Sequence, residues 1–154
     1  MRTSLTLAVV ALFLTAVVVC VADSPHMGTW KLNEAKSKFG PGAPRNTTVV
    51  YESAGDNIKV TVDGTDGEGK PSHNEWTGKF DGKDYPVTGD ATADTRAYKQ
   101  INARTLQLTN KKGGKVTTTG RIVVSANGRS RTVTTTATDP KGKRVSSTAV
   151  YDKQ

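Results

Sequence analysis

Apolar and polar residues alternate along much of the chain from residue 28 onward. Ile58, Val60 and Val62 are separated by single polar residues, and Leu106 and Leu108 show the same spacing. An apolar residue at every second position gives a β-strand one apolar face and one polar face. These segments are therefore predicted to be β-strands.

Short turn sequences separate the predicted strands. Asp-Gly at 66–67 and 81–82 and Asn-Gly at 127–128 supply the positive φ angles that tight hairpins require. The longest connection, 33–46, has room for one helical turn at 34–39, and the glycines and prolines that follow rule out a longer helix. The pattern predicts an all-β fold without substantial helix. We expect an up-and-down antiparallel β-barrel of about 8–10 strands, because closure removes the exposed edges of a long meander.

The sequence Gly-Thr-Trp-Lys-Leu at 28–32, at the start of this meander, resembles the calycin superfamily of lipocalins, avidins and fatty-acid-binding proteins. The last five residues also resemble the end of fatty-acid-binding proteins. The widest likeness is to uncharacterised secreted bacterial proteins with lipocalin-like barrels, and it rests on 28–39, 51–56, 81–89 and 111–115. The resemblance implies a β-barrel fold and no particular activity.

The resemblance also implies roles for two residues of the first strand. In calycins the tryptophan of this motif closes one end of the barrel, so Trp30 is expected to be a structural plug and Gly28 to let the chain pass close to it. An arginine late in the last strand commonly covers that ring. Here Ala149 stands where fatty-acid-binding proteins carry a carboxylate-binding arginine, and Arg144 lies too early in the strand. That carboxylate clamp is therefore not expected, and the sequence leaves open which group covers Trp30.

Residues 1–22 differ from the rest of the chain. A positively charged residue precedes a long, almost unbroken apolar run, and small residues precede a cleavage site between Ala22 and Asp23. A secretory signal peptide is predicted, which leaves 23–154 as a single domain in the periplasm or outside the cell. A retained membrane anchor and a lipid anchor on Cys20 are the alternatives. Cleavage would also remove the only cysteine.

Few aromatic residues are available to fill a barrel of this width. They make up 6% of the sequence, and barrel diameter grows with the number of strands. A hydrated internal cavity is therefore expected, the alternative being a flattened barrel with a thin, solid core. The residues expected to contact a ligand, each equally consistent with ordinary packing, are Tyr51, Trp76, Arg96, Tyr98 and Tyr151.

The formal net charge is +8, but lysines and arginines are scattered among acidic residues. This distribution favours a solvated basic surface over a specific nucleic-acid site. In a meander, successive turns alternate between the two ends of the barrel, and basic residues outnumber acidic ones at the end opposite Trp30. Such a rim attracts anionic ligands or an anionic membrane surface, although lysines are also common in turns. The rim is predicted to consist of Lys70, Lys111, Lys112, Lys141 and Lys143.

Candidates for catalysis are few. His26 precedes the first strand and is expected in a flexible end, whereas His73 and Glu75 lie on the polar face of their strand and are expected outside the barrel. Exposed pairs of this kind are more often surface residues than acid–base catalysts. The acidic turns at 66–70 and 89–94 lack the ligand spacing of a calcium loop. No catalytic residue, metal site or cofactor is predicted.

Three functions are consistent with these features. The first is a secreted or periplasmic, monomeric binding protein for a small, mostly apolar ligand, with or without an anionic group, in the barrel interior. The second is an exported interaction protein, such as an enzyme inhibitor, that acts through its loops, with 40–46 as the first candidate. The third is a barrel isomerase or hydrolase. An open interior favours ligand binding, and a filled barrel with a projecting 33–46 loop favours an inhibitor.

Overall fold

The computed structural model describes residues 24–139 and 141–154, which form ten β-strands. The predicted signal peptide, its cleavage site between Ala22 and Asp23, and Cys20 lie outside these residues. Across the described ranges, no helix is long and apolar enough to cross a membrane. The strands are β1 (Gly28–Lys38), β2 (Arg45–Ala54), β3 (Asn57–Thr65), β4 (Pro71–Gly78), β5 (Tyr85–Thr88), β6 (Thr95–Asn102), β7 (Thr105–Lys112), β8 (Lys115–Val124), β9 (Ser130–Thr138) and β10 (Arg144–Lys153).

Each strand pairs antiparallel with its neighbours in the sequence, and β1 also pairs with β10. The predicted fold, an all-β up-and-down antiparallel barrel, is therefore confirmed, with ten strands in a closed meander. Trp30 of β1 lies opposite Val49 of β2 on one side and opposite Lys153 of β10 on the other. Because the strands alternate in direction, the connections after β1, β3, β5, β7 and β9 share one end, which we call the open end. The other end, where β1 begins, is the closed end.

The first strand is longer than the sequence pattern indicates. It runs to Lys38 instead of ending near residue 32, and the predicted helical turn at 34–39 is wrong. The register between β1 and β10 shifts between Asn33 and Lys38, which marks a bulge. Within it, the Ser37 hydroxyl accepts a hydrogen bond from Val150 N at 2.9 Å and donates one to Asn33 O at 2.7 Å. The hydroxyl thus pairs backbone groups near the irregular register, so the strand can continue.

The core follows the inward positions of the alternating pattern. Val60, Leu106 and Val124 are fully buried, and Ile58, Val62 and Ile122 are almost so. Tryptophan and tyrosine side chains complete this cluster. The core occupies the closed half of the barrel most densely, and this asymmetry positions the site described next.

Candidate functional site

The closed end is built around Trp30, whose side chain is fully buried. The guanidinium Cζ of Arg131, from β9, lies 4.9 Å from the centre of the Trp30 ring. It also lies 5.0 Å from the ring centre of Tyr51 and 4.8 Å from that of Tyr151. Nζ of Lys153 lies 5.3 Å from the Trp30 ring centre. Aromatic rings attract cations over their faces, and the arginine that covers Trp30 therefore comes from β9, not from the last strand.

Gly28 lies beside this cluster and packs closely against the side chain of Lys153. Its φ of +105° belongs to the region that favours glycine, and a Cβ there would lie 3.1 Å from Lys153 Cε. The absence of a side chain at residue 28 therefore gives the lysine room to extend over the Trp30 ring, and the positive φ favours glycine at this position. The role of Gly28 and Trp30 as a structural plug stays a prediction, and the geometry gives it a specific set of contacts.

His26 is part of the closed end, and the prediction that it lies in a flexible end is wrong. Its side chain is fully buried, and its ring packs edge-on against Phe80 with centres 6.1 Å apart. Its carbonyl accepts a hydrogen bond from Trp30 Nε1 at 2.8 Å. A buried indole N–H needs an acceptor, and the segment before β1 folds back to provide it. Burial, and secondarily the charges of Arg131 and Lys153, lower the pKa of His26 to about 4.

Arg131 is the group that the sequence analysis missed. It is 2% exposed, and within the described part of the chain its Nε and Nη1 atoms have no hydrogen-bond partner. Its charge is therefore stabilised mainly by the faces of three aromatic rings. The strand register explains this position, because β9 pairs Arg131 with Tyr151 on one side and Val124 on the other. Both neighbours point inward, so a residue in register with them must do so as well.

A second aromatic cluster lies next to the first, on the side that faces the open end. The ring of Trp76 lies 4.8 Å from that of Tyr98 and 5.7 Å from that of Tyr85, both edge-to-face, and stacks on Phe80 at 6.5 Å. Tyr51 contacts both Phe80 and Tyr98. A Cβ on Gly78 would lie 2.5 Å from a Tyr85 ring atom, so this close packing requires glycine there. The cluster fills the closed half of the barrel with protein side chains.

Arg96 lies at the edge of this aromatic cluster that faces the open end, and it is 5% exposed. Its Nε donates to Asn110 Oδ1 at 3.0 Å and its Nη1 donates to Asn74 Oδ1 at 3.1 Å. Its Nη2 donates to Asp90 Oδ2 at 3.1 Å, and the two side chains form a largely buried ion pair. Its backbone carbonyl accepts the indole N–H of Trp76 at 2.8 Å. The guanidinium is therefore held in one orientation, because each of its three nitrogens donates a hydrogen bond.

The five residues predicted to contact a ligand all lie inside the barrel, and four of them are linked by ring contacts or by Arg131. Burial raises the pKa of the Tyr98 phenol, and it raises the pKa of Tyr151 to about 12. Both hydroxyls therefore stay protonated at neutral pH, and Tyr151 donates to Asn46 O at 2.9 Å. Protein groups already surround these side chains, and contact with a ligand stays a prediction for Tyr51, Trp76, Arg96, Tyr98 and Tyr151.

The open half of the interior has a different lining. Along β8, β9 and β10, every second residue from the buried Ile122, Arg131 and Tyr151 toward the open end shares their inward face. These positions carry small side chains and are only half-buried. They are Gly120 and Thr118 on β8, Thr135 and Ala137 on β9, and Ser147 and Val145 on β10.

A cleft of about 500 Å³ opens at the rim of the same end. The segment 39–45 forms one wall and 65–69 the other. The guanidinium of Arg45 lies 5.0 Å from the ring centre of Phe39, which packs against the core. Gly40 N donates to Ser147 Oγ at 3.0 Å, so the segment is fixed to β10. A smaller cavity, about 280 Å³, lies beside Trp76 and Pro86 between β4 and β5.

The predicted basic rim lies at the open end, but part of its charge is neutralised. Lys111 pairs with Asp84 at 2.7 Å, and Lys70 pairs with Glu68 at 2.8 Å. Lys112, Lys141 and Lys143 are exposed and form no ion pair within the described ranges. These three residues are the part of the rim that is available to attract an anion.

His73 lies on the outer wall, as predicted. Its Nδ1 contacts Asp63, its Nε2 lies 3.6 Å from a Glu75 oxygen, and the same oxygen pairs with Lys59 at 3.1 Å. The hydrogen bond that His73 donates to the Asp63 carboxylate raises the pKa of His73. Among the described residues, no group of three or more histidine, cysteine or acidic side chains is arranged to hold a metal ion.

The fold and this interior define a ten-stranded antiparallel β-barrel with one aromatic-filled end. No known family and no curated protein matches the sequence. Among solved structures the chain is similar to a redesigned β-barrel, mFAP1, bound to DFHBI. The two share 15% sequence identity over 84% of this chain and 95% of the other, with a TM-score of 0.45.

Proposed function

We propose that this protein is a calycin-type barrel that binds one small, mostly apolar ligand, with or without an anionic group, in the open half of its interior. The observation that supports this proposal is the unequal filling of the barrel. Large aromatic side chains fill the closed half, whereas the inward positions of β8, β9 and β10 in the open half carry glycine, alanine, serine, threonine and valine. Side chains just fill a barrel of eight strands, and diameter grows with strand number, so we infer that small side chains in a barrel of ten leave room for a ligand.

Binding in this region would rest on desolvation, with a few polar groups that set orientation. The apolar part of the lining comes from Leu108, Val133 and Val145. The oxygens of Ser147 and Asn110 already accept hydrogen bonds from Gly40 N and Arg96 Nε, so these two side chains would serve a ligand as donors. No bond of the ligand is made or broken in this proposal, and no cofactor is needed. The N-terminal pattern supports secretion, with action in the periplasm or outside the cell after cleavage near Ala22.

The first test fills the proposed site from one strand. Ala137→Phe places an aromatic ring in the open half, whereas Thr136→Phe places the same ring on the outer face of β9. We expect Ala137→Phe to weaken binding of the neutral dye Nile red by about tenfold or more, because overpacking a site excludes its ligand. Thr136→Phe should leave the affinity unchanged. Equal affinities in fluorescence titrations of the two variants would place the dye elsewhere.

Native mass spectrometry of the protein purified from its own host would identify the ligand directly. The expected spectrum contains a second species, heavier by the mass of one small molecule. A spectrum with the bare mass alone, and no shift after addition of fatty acids or aromatic compounds, would rule out this function.

The rim gives a prediction about association rate. Reversing Lys112, Lys141 and Lys143 to glutamate should slow the uptake of an anionic dye about tenfold at low salt, because a positive rim steers anions toward the opening. The difference should vanish in about 0.5 M salt, where screening acts over a few ångströms. Reversal of Lys79, Lys83 and Arg129 at the closed end changes the net charge equally and serves as the control. If both triple variants associate at the same rate in stopped-flow experiments, the rim plays no part in uptake.

The rim cleft supports a second candidate, an exported interaction protein that acts through segment 40–46. The cleft is large enough for a side chain of a partner protein, and its walls include exposed Pro41 and Arg45. The start of the segment is held against β10 through Gly40, and Pro41, Gly42, Pro44 and Arg45 are exposed. Replacing Pro41 and Arg45 by glycine should abolish binding to such a partner while Nile red binding persists, which separates the two functions.

A further inference from the structure

The guanidinium of Arg96 is held by two kinds of acceptor. The amide oxygens of Asn110 and Asn74 bind Nε and Nη1, and they fix its orientation without neutralising its charge. Among the described residues, the one carboxylate bonded to it is that of Asp90. Burial of a cation is costly when its charge is not compensated. Arg131 is covered by aromatic rings, whereas the charge of Arg96 is compensated by the carboxylate of Asp90.

Asp90 is not part of the barrel wall. It lies in the connection 89–94 between β5 and β6, at the open end, and its other oxygen accepts hydrogen bonds from Thr92 N at 2.9 Å and Thr92 Oγ1 at 2.7 Å. Ala93 of the same connection is 2% exposed and packs into the core. The connection thus brings both an anion and an apolar side chain into the interior. We call its residues 90–93 the flap, because they cover this side of the open end.

The attachment of this flap is weak on one side and firm on the other. Strand β5 pairs with β4 at two positions and with β6 at two positions, fewer than any other strand pair in the described barrel. Gly89, whose φ is +79°, precedes the flap. Asp94 follows it and is fixed by two backbone hydrogen bonds: its N–H donates to Lys111 O at 2.9 Å, and its carbonyl accepts from Val87 N at 3.0 Å. Because Asp94 is fixed in this way, a rearrangement that separates Asp90 from Arg96 would be confined to residues 90–93.

We propose that Asp90 acts as an internal anion on Arg96 and is displaced by the anionic group of the ligand, which opens the flap formed by 90–93. This inference rests on the proposed function and names its ligand class: an amphiphile with a carboxylate or sulfonate group. Exchange of one anion for another leaves the charge on Arg96 compensated. A neutral ligand cannot make this exchange, so Asp90 determines specificity by competing with anions alone.

The test compares an anionic and a neutral dye on a matched pair of variants at pH 7. The anionic probe is 1-anilinonaphthalene-8-sulfonate and the neutral probe is Nile red. Asp90→Asn removes the internal competitor and keeps its shape. Asp84→Asn removes the carboxylate of the exposed ion pair with Lys111 and changes the net charge equally. We expect Asp90→Asn to bind the sulfonate about tenfold more tightly, a usual size for coupled sites, with Nile red affinity unchanged. Asp84→Asn frees Lys111 at the rim, so it should raise sulfonate affinity far less than Asp90→Asn does and leave Nile red affinity unchanged.

The outcomes separate this inference from the proposed function. If Asp90→Asn changes both affinities equally, or if Asp84→Asn raises sulfonate affinity as much, Asp90 is not a competitor, although Nile red binding would still support an interior site. If neither probe binds the wild type, both proposals fail.

Hydrogen exchange on the wild type gives a second measurement that does not depend on how Asp90→Asn folds. Saturation with the sulfonate should speed exchange of the backbone amides of Thr92 and Ala93, whose N–H groups bond to Asp90 in the closed flap. Saturation with Nile red should leave them unchanged. Unchanged exchange with the bound sulfonate would show that the anion does not open the flap.

Discussion

Trp30→Ala is expected to lower the free energy of unfolding by about 3–5 kcal/mol, the usual cost of truncating a buried tryptophan. The ring is fully buried and covered by Arg131, so the variant would leave a cavity beside a buried cation. It would also remove the hydrogen bond to the carbonyl of His26 and release the segment before β1. Urea denaturation measures the change.

A second variant separates the hydrogen bond from the packing of the ring, and a third serves as a control. Trp30→Phe keeps most of the ring but removes the donor to His26 O, so it should destabilise by about 1–3 kcal/mol, the cost of an unsatisfied buried group. Lys31→Ala changes the neighbouring exposed position of β1 and should have little effect. A loss below about 1 kcal/mol for Trp30→Ala, within the range of a surface substitution, would show that Trp30 does not hold the closed end together.

Most of the architecture could be predicted because it is local. Alternation at Ile58, Val60 and Val62 sets an inward face, and Asp-Gly and Asn-Gly pairs set the turns, so strand number and antiparallel order follow from short stretches of sequence. The irregular part of β1 could not be predicted this way. Its bulge between Asn33 and Lys38 is stabilised by Ser37, whose backbone partner Val150 is distant in the sequence.

The same limit applies to the site. The sequence pattern indicated Trp76, Tyr98 and Arg96 as candidates for ligand contact, each equally consistent with ordinary packing, and alternation within β6 put Arg96 and Tyr98 on one face. It could not show that Asp90 reaches Arg96, or that Arg131 covers Trp30, because these contacts depend on how distant strands are placed when the barrel closes. Arg131 also lies close to a turn, where a charged residue is usually exposed, and only its register with Tyr151 brings it inside.

Stability is expected to fall by about 3 kcal/mol between pH 6.5 and pH 4 because of His26 alone. Burial first, and then the charges of Arg131 and Lys153, lower the pKa of this side chain from 6.5 to about 4 in the folded protein. Between these values the unfolded chain binds a proton at His26 and the folded protein does not. The unfolded state is therefore favoured as the pH falls, and the contribution is fully present only above pH 6.5.

His26→Leu should remove this slope. Leucine cannot titrate, and it leaves no unpartnered ring nitrogen in the core, so the free energy of unfolding of the variant should depend less on pH than that of the wild type. Denaturant titrations at several pH values between 5 and 6.5 measure the difference with little interference from carboxylates, which titrate lower. His73→Gln is the control. The pKa of His73 is raised by Asp63, so its small contribution is present at low pH and is lost as the pH rises through that value.

A third variant tests the cause of the shift. Arg131→Met keeps an unbranched apolar side chain between the rings and removes the charge, so the pKa of His26 should rise toward 6.5 without reaching it, because burial is the larger cause. NMR titration of the His26 ring protons measures this directly. A wild-type His26 that titrates near pH 6.5 would mean that its ring is hydrated, and the segment before β1 would then not be part of the closed end. If His26 titrates near pH 4 in the wild type and at an intermediate pH in Arg131→Met, both burial and the charge of Arg131 lower its pKa.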